Sequence, residues 1–182
     1  MFDSIPKKVS KWNGILERQG QMLMSIFLTS RKWFEGGIVK KWKGIVIHHS
    51  ETVDNGTLAD IEAIRRYHIQ HNGWKDIGYH FVIEKVGGEY KVFAGRSLEE
   101  SGAHALGFNT SHIGICCVGN FDIEEPSEDL YRAARELVAQ LIYRYSMSIY
   151  NVIGHRDTYV LRNVPVEKTC PGKKFDLGKI IP

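Results

Sequence analysis

The 182-residue sequence has no apolar run long enough to cross a membrane. Its longest apolar stretch near the N-terminus, Met22–Leu28, is interrupted by Ser25, whereas a spanning helix needs about 20 residues. A secretory leader fits poorly as well. Lys7, Lys8, Lys11 and Arg18 precede that stretch, but it is barely long enough and no small-x-small cleavage site follows it. Cysteine is scarce: Cys116, Cys117 and Cys170 are the whole complement. Cys116 and Cys117 are neighbours on an apolar strand and point to opposite faces, so they make a poor disulfide and read as small buried residues. There is no C-x-x-C pair and no H-E-x-x-H helix, so no ready-made metal motif is present. Charge of one sign is nearly balanced by the other. The net charge of +3 gives no reason to expect a nucleic-acid partner. Internal repeats and low-complexity tracts are also missing.

What remains is the composition of a folded globular chain, 43% hydrophobic and 25% charged. Its length suits one compact domain with a short extension. Residues 1–30 read as that extension. Val9, Trp12, Leu16, Leu23 and Phe27 recur at roughly helical spacing, which predicts a helix with an apolar stripe. From Lys43 onward the punctuation is clear. Ile45–Ile47 reads as a buried strand, Asp54-Asn55-Gly56 as a turn, and Thr57 as the cap of a helix that runs to about Gln70. Tyr79–Lys85 and Glu89–Ala94 flank Gly87-Gly88 as a hairpin. Ile113–Val118 is a further strand. Pro126-Ser127 starts a long helix with Leu130, Ala134, Leu137, Val138, Leu141 and Ile142 on its buried stripe. Tyr150–Ile153 is a last strand, stopping at Gly154. The expectation is an α/β fold: a single domain over residues 31–182 with a central mixed β-sheet flanked by helices, plus an N-terminal helical extension over residues 1–30.

Three residues stand where rigid metal ligands would be useful. His48 ends the Ile45–Ile47 strand, His155 follows the Tyr150–Ile153 strand, and Cys170 lies in a Lys-Thr-Cys-Pro-Gly turn. Catalytic zinc takes three protein ligands and keeps a fourth position open. Two imidazoles and a thiolate would satisfy it and leave the metal a Lewis acid. Only one of two adjacent strand residues points into a given site, so His48 is taken over His49. Spacing alone supports the site weakly and hardly separates the two histidines.

Five ordered blocks change the weight of that proposal. "VIHHSET", "WKDIGYHFVI", "GAHALGFNTSHIGICCVG", "GHRD" and "KTCPG" resemble the zinc N-acetylmuramoyl-L-alanine amidases, a superfamily that includes phage endolysins and the peptidoglycan recognition proteins. The resemblance runs from about Ser30 to the C-terminus. It implies one zinc ion held by His48, His155 and Cys170. It implies that Tyr79 is catalytic, that Lys168 is catalytic as in the phage-like branch, and that His104 lines the substrate cleft. It further implies hydrolysis of the amide between N-acetylmuramic acid and L-alanine, with peptidoglycan or muropeptides as the partner. The branch that recycles cytoplasmic muropeptides carries a glutamate after "IGI" and an aspartate as third ligand; here Cys116 and Cys170 stand there. A monomer acting on the cell wall is expected. Without an export signal, it would stay cytoplasmic until released, or leave by an unrecognised route. The rival expectations are a module that binds peptidoglycan without cutting it, a polymerase-binding regulator, and a structural zinc site completed by His49 or His104.

Overall fold

The computed structural model describes residues 41–54 and 59–182. The expected extension over residues 1–30 and the Thr57 cap lie outside the described residues. Strand β1, Gly44–His49, is buried at every position. An apolar run buried on both faces marks a strand in the middle of a covered sheet. Helix α1, Ala59–Gln70, comes next. Strands β2, Phe81–Val86, and β3, Glu89–Ala94, pair antiparallel. The ladder starts two residues later than the Tyr79 expected from sequence. Even so, the Gly95 and Arg96 N–H groups still reach the His80 and Tyr79 carbonyls.

Strand β4, His112–Cys117, leads to helix α2, Glu128–Tyr145. Ser127 caps α2, its Oγ accepting the Leu130 N–H at 3.2 Å, and Glu128 and Asp129 complement the positive helix end. Strand β5 is shorter than expected. A single 3-10 turn occupies Ile149–Asn151, and β5 spans only Val152–Gly154. Ser148 causes the difference: its Oγ accepts the Tyr150 N–H at 3.3 Å and closes a turn where the sequence suggested a strand. Helix α3, His155–Leu161, was not anticipated. It starts because Asp157, three residues into the segment, accepts the Gly154 N–H at 2.7 Å.

The sheet order is β3-β2-β4-β1-β5. Strands β2, β4, β1 and β5 run parallel to one another, and β3 pairs antiparallel with β2, so the sheet is mixed as expected. One face carries Ile45, Ile47, Ile83, Ile113 and Ile115 against the α2 stripe of Leu130, Ala134, Leu137, Val138 and Leu141. Burial of each isoleucine, leucine and valine among them contributes about 1.5–3 kcal/mol. The opposite face packs Val82, Cys116 and Val118 with Ile61 of α1 and Ile77. Alternation along β1 therefore sends His48 to the α1 side and His49 to the α2 side. Among the described residues, no helix is long and apolar enough to cross a membrane.

Candidate metal centre

His48 is the penultimate residue of β1, and His155 is the first residue of α3. Because β5 pairs with β1 through Ile47 and Gly154, the two histidines end up side by side, their ring centroids 4.7 Å apart. Cys170 arrives from a turn remote in sequence, its Sγ 3.7 Å from His48 Nδ1. One ligand atom each from His48, His155 and Cys170 lies within 4.8 Å of the others. His48 and Cys170 are buried and His155 is half-buried.

The Cys170 turn is held from two sides. Arg156 donates its backbone N–H to the Cys170 carbonyl at 2.8 Å. Its guanidinium donates to the Thr169 and Gly172 carbonyls at 3.3 and 2.8 Å. Asp122 accepts from Thr169 Oγ1 at 2.6 Å and from the Lys173 N–H at 2.9 Å. The His49 backbone N–H points at Cys170 Sγ, 3.4 Å away.

Burial sets the protonation of the group. It lowers His48 well below the ordinary imidazole value, helped by nearby His104 and His155. It lowers His155 to about 4, with the Lys168 charge adding to the effect. Both rings are therefore neutral and each carries a lone pair. Burial pushes the Cys170 thiol up to about 12, against the opposing pull of the His49 N–H and Lys168. A thiol of this kind keeps its proton until a cation displaces it. Two neutral imidazoles and a displaceable thiol form a donor set that suits zinc.

Tyr79 stands beside this group, its ring centroid 5.0 Å from that of His48. Burial raises its phenol well above 10, and its hydroxyl shares a hydrogen bond with the Cys116 thiol. The phenol is therefore a proton donor at neutral pH. Its backbone is braced by Arg96, which donates to the Ile77, Asp76 and Ser101 carbonyls at 2.8, 2.9 and 2.9 Å. Lys168 is exposed, two positions before Cys170, and its charge is felt at His48, His155 and Cys170. His104 is buried, with Nδ1 3.1 Å from His48 Nε2 and Nε2 3.2 Å from the His112 carbonyl. His49 faces the other way, its Nδ1 accepting the Phe121 N–H at 3.2 Å.

Five of the six residues singled out in the sequence thus converge, with Lys168 on the exposed side. Sequence reasoning missed Arg156, Asp122 and Arg96. Arg156 lies inside the "GHRD" block and could have been suspected of more than a spacer role; Asp122 and Arg96 carry no local signal.

Residues 39–173 match the N-acetylmuramoyl-L-alanine amidase family. The chain belongs to this family. Peptidoglycan-recognition protein SC1a of Drosophila melanogaster is 30% identical to this amidase-family chain over 179 residues, covering 91% of this chain and 90% of the relative. The N-acetylmuramoyl-L-alanine amidase LysC from Clostridium intestinale has a similar solved structure, with a TM-score of 0.62 and 28% identity, covering 81% of this chain and 88% of that one. Peptidoglycan recognition protein-LE, solved with tracheal cytotoxin, a monomeric diaminopimelic acid-type peptidoglycan, aligns with a TM-score of 0.61 and 27% identity over 74% of this chain and 76% of that one. The family has members named for cutting and members named for recognition.

Proposed function

We propose that this chain hydrolyses the amide between N-acetylmuramic acid and the L-alanine of the peptidoglycan stem peptide, using one zinc ion held by His48, His155 and Cys170. The observation that carries this reading is the donor group itself, three ligand atoms within 4.8 Å of one another, two of them on buried residues, beside a protonated tyrosine. Zinc, when bound, supplies a Lewis acid that polarises a carbonyl and makes water a better nucleophile.

The chain's own residues account for the rest. Hydrolysis adds water across the lactyl carbonyl, breaks its C–N bond and leaves a carboxylic acid and the free amine of L-alanine. The carbonyl oxygen gains negative charge on the way. Tyr79 donates a hydrogen bond toward that oxygen, and Lys168 adds a positive charge from the exposed side. The departing amine needs a proton, and Tyr79 is the group that relays it. No carboxylate stands at Cys116, and burial keeps that thiol protonated, so proton handling falls on Tyr79.

Recognition without cleavage is the second reading, favoured by the names of relatives such as the SC1a protein. The complete donor set, Cys170 included, supports cutting. A fully liganded structural zinc site has less support. His49 lies on the other face of β1, and His104 meets His48 at Nε2, the ring nitrogen opposite the one that faces Cys170. The discriminating experiment is release of free amino groups from purified sacculi, with and without a zinc chelator. Release that stops on chelation and returns with added zinc supports hydrolysis. Binding to sacculi without release would support recognition alone.

A further inference from the structure

His104 has no free ring nitrogen. A carbonyl only accepts, so the 3.2 Å contact with the His112 carbonyl requires a proton on His104 Nε2. In a neutral ring that leaves Nδ1 as an acceptor. The 3.1 Å contact between His104 Nδ1 and His48 Nε2 holds a single proton, and it must come from His48. His48 is then protonated on Nε2 and bare on Nδ1. Nδ1 is the nitrogen that faces Cys170 Sγ, at 3.7 Å.

The fold reserves room for this arrangement. Gly114 sits in the middle of β4, where a side chain would ordinarily strengthen the strand. A Cβ at Gly114 would come within 2.5 Å of His104 Cδ2, and one at Gly102 within 2.4 Å of the same atom. The imidazole thus occupies a slot that two glycines leave open. Its backbone is pinned as well: Asn109 Oδ1 accepts the His104 and Ala105 N–H groups at 2.7 and 2.8 Å.

We infer that His104 is a positioning residue for the metal centre: backed by the His112 carbonyl, it fixes the tautomer of His48 so that Nδ1, and not Nε2, is the ligand atom. This gives His104 a role behind the metal ligand instead of on the cleft wall. It rests on the zinc-binding reading above. Hydrogen-bonded partners of this kind hold a ligand ring in orientation and raise its basicity, and their loss costs about 10–100-fold in metal affinity.

The test is zinc affinity by chelator competition on the full chain, paired with proton–nitrogen correlation spectra of the zinc-loaded protein. His104→Leu removes the acceptor and should weaken zinc binding about 10–100-fold. His104→Asn keeps an oxygen acceptor where Nδ1 stood and should stay near the parent affinity. Gly114→Ala should match the Leu variant, because its methyl displaces the ring. In the parent protein the spectra should show His48 protonated at Nε2. Equal zinc affinity in the Leu and parent chains, or a His48 protonated at Nδ1, would overturn the inference while leaving the zinc reading intact. A parent chain that binds no zinc would overturn both. The spectra need no variant, so a Leu chain that fails to fold does not protect the idea.

Discussion

In the proposed reading, Cys170 is the residue that separates cutting from mere binding. Replacing its sulfur with oxygen removes the soft donor without changing the size of the side chain much. Cys170→Ser should therefore lose zinc and hydrolysis together, while the circular dichroism spectrum stays that of the parent. Zinc content unchanged in this variant would mean the ligand set is wrong. Tyr79→Phe separates metal from chemistry. It should retain zinc and lose about 10²–10⁴-fold in turnover, the usual scale for a positioned proton donor; full activity would remove Tyr79 from the mechanism. A third residue matters for stability and lies away from the donor group. Glu84 of β2 is fully buried, with Oε2 accepting the Ile61 N–H at 2.8 Å, and burial raises its carboxyl from 4.5 to about 7. A folded value above the unfolded one means that the folded chain holds the proton more tightly. This contribution to stability is complete below pH 4.5, declines as pH rises toward about 7 and is gone above it. Glu84→Gln should flatten that part of a stability-versus-pH profile measured by urea unfolding. An unchanged slope would place the titration elsewhere.

Elements follow from the sequence when their signals are short-range. The capped start of α2 was legible because Ser127, Glu128 and Asp129 are adjacent. Ser127→Ala should cost about 1 kcal/mol in thermal or urea unfolding, and a neutral result would mean that the cap bond contributes nothing. The choice of His48 over His49 rested on strand alternation, and the two rings do lie on opposite faces of β1. Strand β5 was misread at its start because Tyr150 has strong strand propensity, while the Ser148 bond that closes the turn is a side-chain effect. Helix α3 was missed because its start depends on Asp157 reaching back to Gly154, and a seven-residue helix has little periodicity to see. The braces were invisible for another reason. Arg156, Asp122 and Arg96 act on carbonyls and loops many positions away or on main-chain groups with no residue-type signature. The five sequence blocks pointed to residues that the fold brings together; how that candidate site is held is visible only in three dimensions.

At the scale of the molecule, the candidate centre joins the end of β1, the start of α3 and the Cys170 turn, three segments brought together by the order of a mixed sheet. The parallel β1–β5 pairing puts the two histidines side by side, and Arg156 then ties the turn to α3. Such a construction makes the chemistry depend on the assembled fold. The central claim is that this assembly cuts one bond, the amide between N-acetylmuramic acid and L-alanine. The most direct test is mass spectrometry of peptidoglycan digested by the purified, zinc-loaded chain. The account predicts free stem peptides that begin with L-alanine, glycan strands whose muramic acids have lost their peptides, and neither product after chelation. Glycan that keeps its peptides after prolonged digestion, or peptides cut at any other bond, would contradict it.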